Sequence, residues 1–388
     1  MKIREQLSKL ACEITEIRRD LHMHPEIGFE EERTSQIVAE FLASAGIEVH
    51  RGLGKTGVVG TTKCGDGDKS IALRADMDAL EMQEQNSFSH CSVYDNKMHG
   101  CGHDGHTAML LGAAKHLAES RNFNGTAYFI FQPAEEGLAG ADAMIKDGLF
   151  DLFPADAVYG MHNGPGTPVG AFAILPGAML CSFDTFDIVI NGMGGHGAMP
   201  HQTIDPVLIA ANVVTALQSV ASRNIDPLHP IALSITQIAS GKGTYNVIPE
   251  QATIKGAVRT LNADTRDLAE NRIKALVQGV SASFGGSCRI DYKRGYPVLI
   301  NSANETKIAA NTARAIVGDT AVLTNIDPVM GSEDFAFMLQ KKPGAYIVIG
   351  NGDGASSCVV HNPRYDFNDD IIPLGMEYWC RLVERELS

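Results

Sequence analysis

Between residues 57 and 163 short apolar β-type runs alternate with helical ones, and this alternation restricts the possible folds more than any other feature of the chain. Gly57–Thr62 and Ser70–Arg74 read as strands, the second opening the segment SIALRADMDAL. The run TAMLLGAAKHLAES, from Thr107, reads as a helix. GTAYFIFQPAEEG is a strongly apolar β run broken at Pro133; a helix is expected near 140–147, and DAVYGMHN has the composition of a buried strand. Such an order predicts α/β architecture with a mostly parallel sheet. Two helices precede it. One spans 3–20, with Ile3, Leu7, Leu10, Ala11, Ile14 and Ile17 on one stripe and His22, His24 and Pro25 stopping it. The other spans about 31–45 and ends at Gly46. Residues 81–100 are polar and aperiodic and read as a long surface loop.

The middle third changes character. The strand TFDIVI, the glycine-rich NGMGGHGAMPH, a helix from Pro206 to Ser222, the strands IALSITQIAS and ATIKGAVRT, a helix near 263–284 and the strand CRIDYKR follow in turn. That β-α-β-β-α-β order fits a compact α+β, ferredoxin-like domain. From Tyr296 the alternating pattern returns, with helices at 304–317, 332–341 and 371–386 around the strand AYIVIG. The chain therefore divides into a larger, discontinuous domain, 1–182 and 296–388, and an inserted domain, 183–295. A length of 388 residues accommodates both.

Charge and cysteine usage exclude several classes of function. A net charge of −14 argues against a nucleic-acid or anionic-membrane partner. The N-terminal segment has charges scattered among its apolar residues, unlike a secretory signal. No run reaches the ~18 apolar residues of a membrane span. Eight cysteines lie far apart with no CxxC pair, which is not a disulfide framework. A cytoplasmic, reduced protein is expected.

Candidate chemistry gathers where the strands end. SIALRA runs into Asp76 and Asp78, TAYFIFQ into Glu135 and Glu136, and AVYGM into His162. The glycine-rich stretch MHGCGHDGHTA places Cys101 and His103 at the mouth of a helix, and His361 follows AYIVIG. Ligand sites of open α/β sheets lie beyond the carboxyl ends of the strands. Thiol, imidazole and carboxylate form a borderline-soft donor set that suits Zn, Mn, Co or Ni rather than Ca or Mg. Two adjacent carboxylates repel, and a cation between them relieves this. One of Glu135 and Glu136 can then ligate the metal while the other acts as a general base on a bound water. Asp78 reads as support behind a ligand, Asp104 as an N-cap of the following helix, and Asp334 as part of a helix N-terminus.

The ordered motifs GCGHDGHTA, FQPAEEG, GMHN, GGHGAMPH, NVIPE, GSEDFAF and VHNPRYDFND resemble the M20 metallopeptidase family, closest to its subgroup of hippurate hydrolases and N-acyl-amino-acid amidohydrolases. The resemblance extends from about residue 22 to the C-terminal helix. It implies two divalent metal ions held by Cys101, His103, Glu136, His162 and His361, with Glu135 as the base. It implies that the inserted domain serves as lid and dimerisation module, giving a homodimer or higher homo-oligomer. His196 would then stabilise an oxyanion in a partner subunit's site, and Asn246 and Arg259 would bind substrate. Two departures from the family bear on specificity: Glu81 stands where proline is commoner, and the 353–360 loop is short.

The expected reaction is hydrolysis of an N-acyl amino acid to a carboxylic acid and a free amino acid, using metal-activated water and Glu135. The rival readings are a dipeptidase or aminopeptidase on the same scaffold, a metal-binding protein without turnover, and a thiol redox protein using Cys101. The absence of a resolving CxxC partner weighs against the last.

Overall fold

The computed structural model describes residues 2–352 and 358–388; the part of the short 353–360 loop that spans 353–357 lies outside them. The chain divides into two compact units, one comprising Met1–Gly177, Ile300–Asp327 and Asp334–Ser388, the other Ala178–Leu299 and Pro328–Glu333.

The first unit is built on an eight-stranded sheet. From one edge its strands are Glu48–Leu53, Gly57–Cys64, Gly125–Gln132, Ser70–Asp76, Ala157–Pro165, Gly344–Gly352, Phe172–Ala173 and Val322–Leu323. The four central strands, Gly125–Gln132 through Gly344–Gly352, run parallel, while Gly57–Cys64 is antiparallel to both its neighbours, Gly125–Gln132 and the edge strand Glu48–Leu53. Ser70–Asp76 is buried along its whole length, as a central parallel strand covered on both faces must be. Leu73, Phe129, Tyr159 and Ile347 are fully or almost fully buried within one core cluster. Helices Lys2–Met23, His103–Ser120 and Ile372–Glu386 pack on one another beside the sheet. The first of these ends at Met23, among the His22, His24 and Pro25 that stop it.

Two expectations are corrected. Residues 81–100 contain no helix or strand, but they are no mere surface loop: His90, Met98, His99 and Gly100 are buried. The helix expected at 332–341 is only Phe335–Leu339. Asp334 stands at its cap position without a side-chain cap bond. Its carboxylate instead accepts from Gln132 Nε2 at 2.8 Å, the Ala141 N–H at 2.8 Å and Arg74 at 3.0 Å.

The second unit holds a four-stranded antiparallel sheet in the order Ile231–Ser240, Gln251–Thr260, Ser182–Asn191, Ser287–Arg294. This is the ferredoxin-like order. Buried residues alternate strictly along Ser182–Asn191, so one face of the sheet is committed to a core. Phe186, Ile188 and Ile190 on that face cluster with Ile209, Val213 and Leu217 of helix Pro206–Ser219 and with Ile273 and Val277 of helix Ala263–Ser283. Each such buried side chain contributes roughly 2 kcal/mol relative to exposure. Both helices begin at side-chain caps, Asp205 on the Val207 N–H at 2.8 Å and Asn262 on the Thr265 N–H at 3.0 Å.

Candidate active site

Register places the site. Asp76 pairs with Gln132 at the carboxyl ends of neighbouring parallel strands, and the next strand, Ala157–Pro165, carries His162 near its own end. Just beyond Gln132 the chain makes the tight turn that carries Glu135 and Glu136. Ala134 and Ala139 both adopt left-handed backbone there. Gly140 closes the turn so tightly that a Cβ on it would come within 1.7 Å of the Pro133 carbonyl oxygen.

Cys101 and His103 arrive on the loop that opens helix His103–Ser120. Gly102 provides the left-handed entry, with φ +93°, and a side chain there would strike Asn163 Nδ2 and Tyr365 Oη. Asn163 ties this loop down, donating from Nδ2 to the Cys101 carbonyl at 2.6 Å and accepting at Oδ1 from the Tyr365 hydroxyl at 2.8 Å.

Hydrogen bonds decide which histidine nitrogens can face a ligand. The Asn163 N–H donates to His106 Nε2 at 2.9 Å, so the other nitrogen of neutral His106 carries the proton and donates to Asp76 at 2.6 Å. Both nitrogens of His106 are thus committed. His162 donates from Nδ1 to the Asn163 carbonyl at 2.6 Å, which leaves its Nε2 3.4 Å from Cys101 Sγ. His103 Nδ1 lies 3.2 Å from Asp78 Oδ1, and its Nε2 is buried without a hydrogen-bond partner. The other Asp78 oxygen accepts the Glu136 N–H at 2.9 Å. Glu136 Oε1 is also buried without a hydrogen bond, 3.2 Å from His361 Nε2. His361 is half exposed and has left-handed backbone at φ +63°.

Two sets of potential ligand atoms, Cys101/His103/His162 and Cys101/Glu136/His361, each lie within 4.8 Å of one another and share the thiol. A third set joins Glu135 to His103 and Glu136. His103 Nε2 and Glu136 Oε1, neither of them in a hydrogen bond, lie in a buried thiol–imidazole–carboxylate pocket that fits divalent metal ions. The electrostatics agree. Burial pushes His162 down to about 3, keeping it a neutral donor. Burial also opposes charge on His103, but Asp76 and Cys101 outweigh it and hold this imidazole well above the usual range. Cys101 and Glu136 push His361 up to about 10. A pocket that draws protons onto two imidazoles has negative potential to offer a cation.

Asp104 caps nothing: Gly102 occupies the cap position. Buried Asp104 instead pairs with Arg18 at 2.9 Å and His22 at 2.8 Å. No sequence pattern assigns chemistry to Arg18 or His22. The available signal was the set of charged residues inside apolar stretches, such as Arg74 and Asp76 in a wholly buried strand.

The other three sequence candidates belong to the second unit. His196 lies in a two-residue strand paired with Val247, next to Asn246, whose carbonyl accepts the Gly197 N–H at 2.8 Å. The Ala198 N–H donates to His196 Nδ1 at 3.0 Å, so neutral His196 carries its proton on Nε2 and presents a donor from an exposed side chain. Arg259 stacks over the Phe183 ring at 4.4 Å and donates to the Met330 carbonyl at 2.8 Å.

A sheet whose carboxyl edge collects thiol, imidazole and carboxylate donors, with a further carboxylate beside them, defines a metal-binding hydrolase. Residues 72–385 match the model of peptidase family M20/M25/M40. The chain is 41% identical to hippurate hydrolase of Campylobacter jejuni over 388 residues, 100% of both chains. It is 37% identical to N-acetylcysteine deacetylase of Bacillus subtilis, covering 95% of each. Among solved structures it is similar to a dinuclear metal-binding peptidase of family M20 from Bacillus subtilis, with 31% identity, a TM-score of 0.85, and coverage of 98% of this chain and 99% of that one. The chain belongs to the M20 family and is an amidohydrolase within it. Among the described residues no helix is long and apolar enough to cross a membrane, and all eight cysteines are free.

Proposed function

We propose that the protein hydrolyses N-acyl amino acids to a carboxylic acid and a free amino acid. The observation that carries this reading is Glu135, a buried carboxylate beside Glu136 and within 4.8 Å of His103, at a site where other residues already supply two ligand sets. A site that only stored metal has no use for it. Relatives named for cleaving hippurate and for deacetylating N-acetylcysteine support the substrate class.

Cys101, His103 and His162 would hold one ion and Cys101, Glu136 and His361 a second; zinc, manganese, cobalt or nickel suits the donors. Such ions acidify the attacking water and polarise the amide oxygen. Glu135 accepts a proton as the water oxygen bonds to the amide carbon. It then delivers that proton to the nitrogen as the C–N bond breaks, one carboxyl serving in turn as base and acid. The Nε2–H of His196, from a second copy of the chain in a homodimer, donates to the oxyanion, a contact worth about 3 kcal/mol when typical. Arg259 engages the carboxylate of the amino-acid half, and Asn246 contacts the substrate alongside it. The inserted domain, about 183–295, acts as dimerisation module and lid.

The test is a panel of N-acetyl, N-benzoyl and longer N-acyl amino acids beside dipeptides with free N-termini, with metals quantified on the same sample. Turnover confined to the acylated set is expected. Turnover confined to free dipeptides would transfer the protein to the peptidase reading.

A further inference from the structure

Glu31 is completely buried at the N-cap position of helix Glu32–Ser44, yet it makes no cap bond there. Capping passes to Glu26, whose two oxygens accept the Arg33 and Thr34 N–H groups at 3.0 and 2.8 Å. The Glu31 carboxylate is engaged elsewhere. Its Oε1 accepts the Ala134 N–H at 2.8 Å and its Oε2 the Thr56 hydroxyl at 2.7 Å.

Ala134 is the residue just before Glu135, and its φ of +55° is unfavourable for a side chain bearing a Cβ. A backbone of this kind persists only where its surroundings over-determine it. Three carboxylates do so. Glu31 takes the N–H of Ala134, Asp78 that of Glu136 and Asp334 that of Ala141, each at 2.8–2.9 Å. Gly28, on the same loop as Glu31, fits against the turn so closely that a Cβ would lie 3.1 Å from both Cα and Cβ of Ala134. Burial pushes the Glu31 carboxyl up to about 7, with the Thr56 and Ala134 bonds opposing that and Asp78 adding to it. A carboxyl so costly to bury is a poor device for stability alone.

We propose that Glu31 is a positioning residue for the hydrolysis: its Oε1 clamps the Ala134 N–H and fixes the turn that aims Glu135 at the substrate and Glu136 at the metal. This rests on the roles given above to Glu135 and Glu136. The acceptor atom matters, rather than the charge.

Glu31→Gln keeps an acceptor at the same reach and can turn its amide N–H toward the Thr56 oxygen, so kcat and metal affinity stay within about threefold of the parent. Glu31→Leu removes the acceptor. Glu31→Asp withdraws it by one methylene and serves where the leucine variant does not fold. For either, kcat falls on the order of 100-fold with KM nearly constant, the usual consequence of a small misplacement. Affinity for Zn or Mn, read by competition with a chromogenic chelator, falls about tenfold. Circular dichroism confirms that each variant is folded. Parental kcat and metal affinity in a folded Glu31→Asp or Glu31→Leu would overturn the proposal, as would a Glu31→Gln no better than Glu31→Asp. Glu135→Gln, run in parallel, separates the two claims. If it keeps activity, the base assignment fails, and the Glu31 claim is judged on metal affinity through Glu136.

Discussion

Asp78 and His103 form a carboxylate–imidazole pair, with Oδ1 3.2 Å from Nδ1, both side chains fully buried. The pair turns His103 Nε2 toward Cys101 and His162, while the second Asp78 oxygen holds the Glu136 N–H. One carboxylate thus orients donors from two distant segments. Asp78→Asn should lower affinity for zinc or manganese roughly 10- to 100-fold, the common cost of losing an outer partner of a ligating histidine. Chelator competition measures it; an unchanged affinity would show that Asp78 orients nothing.

His106 lies three residues from His103 on the same helix, but its bonds to Asp76 and Asn163 occupy both nitrogens. His106→Gln should therefore keep the metal stoichiometry of the parent, whereas His103→Gln loses metal. The His106 variant should still lose about 1–3 kcal/mol of stability, because buried partners are left unsatisfied. Elemental analysis and denaturant unfolding report the two effects separately, and equal metal loss in both variants would refute the distinction.

His22 gives the fold a pH dependence of definite sign. Burial works against its charge, but Asp104 and Glu84 outweigh burial and push it up to about 9 from an ordinary 6.5. A raised pKa means that the folded state holds the proton more tightly. The stability this contributes is complete below about pH 6.5 and is lost as the pH climbs through 9. The stability gap between parent and His22→Gln should shrink by something of order 3 kcal/mol over that window. Unfolding in urea at pH 6, 8 and 9.5 measures it. A gap that stays level, or that widens with pH, contradicts the assignment.

Much of this was legible in the chain because apolar strands stop abruptly at chemistry-bearing residues. Asp76, Glu135, Glu136 and His162 are visible at the ends of SIALRA, TAYFIFQ and AVYGM, and the structure gathers them at one sheet edge. What was not legible depends on contacts between distant segments. His103 and His106 look alike in GCGHDGHTA but for the family resemblance, and the physical difference between them is the Asn163 N–H, 57 residues away, on His106 Nε2. Asp104 has the residue type and spacing of a cap, but Gly102 starts the helix two residues earlier and Asp104 turns to Arg18, which no local pattern signals. Glu31 likewise sits 103 residues from the turn it holds. The strand Glu48–Leu53 escaped notice because an exposed edge strand carries no apolar run.

The central claim is that Glu135 moves the proton while its neighbours hold the metal. Glu135→Gln preserves size and hydrogen-bonding reach but abolishes the base, and its kcat on an N-acyl amino acid should fall at least about 100-fold. The same preparation should contain as much metal as the parent. Substantial remaining kcat at full metal content, or loss of metal in step with activity, would contradict the account.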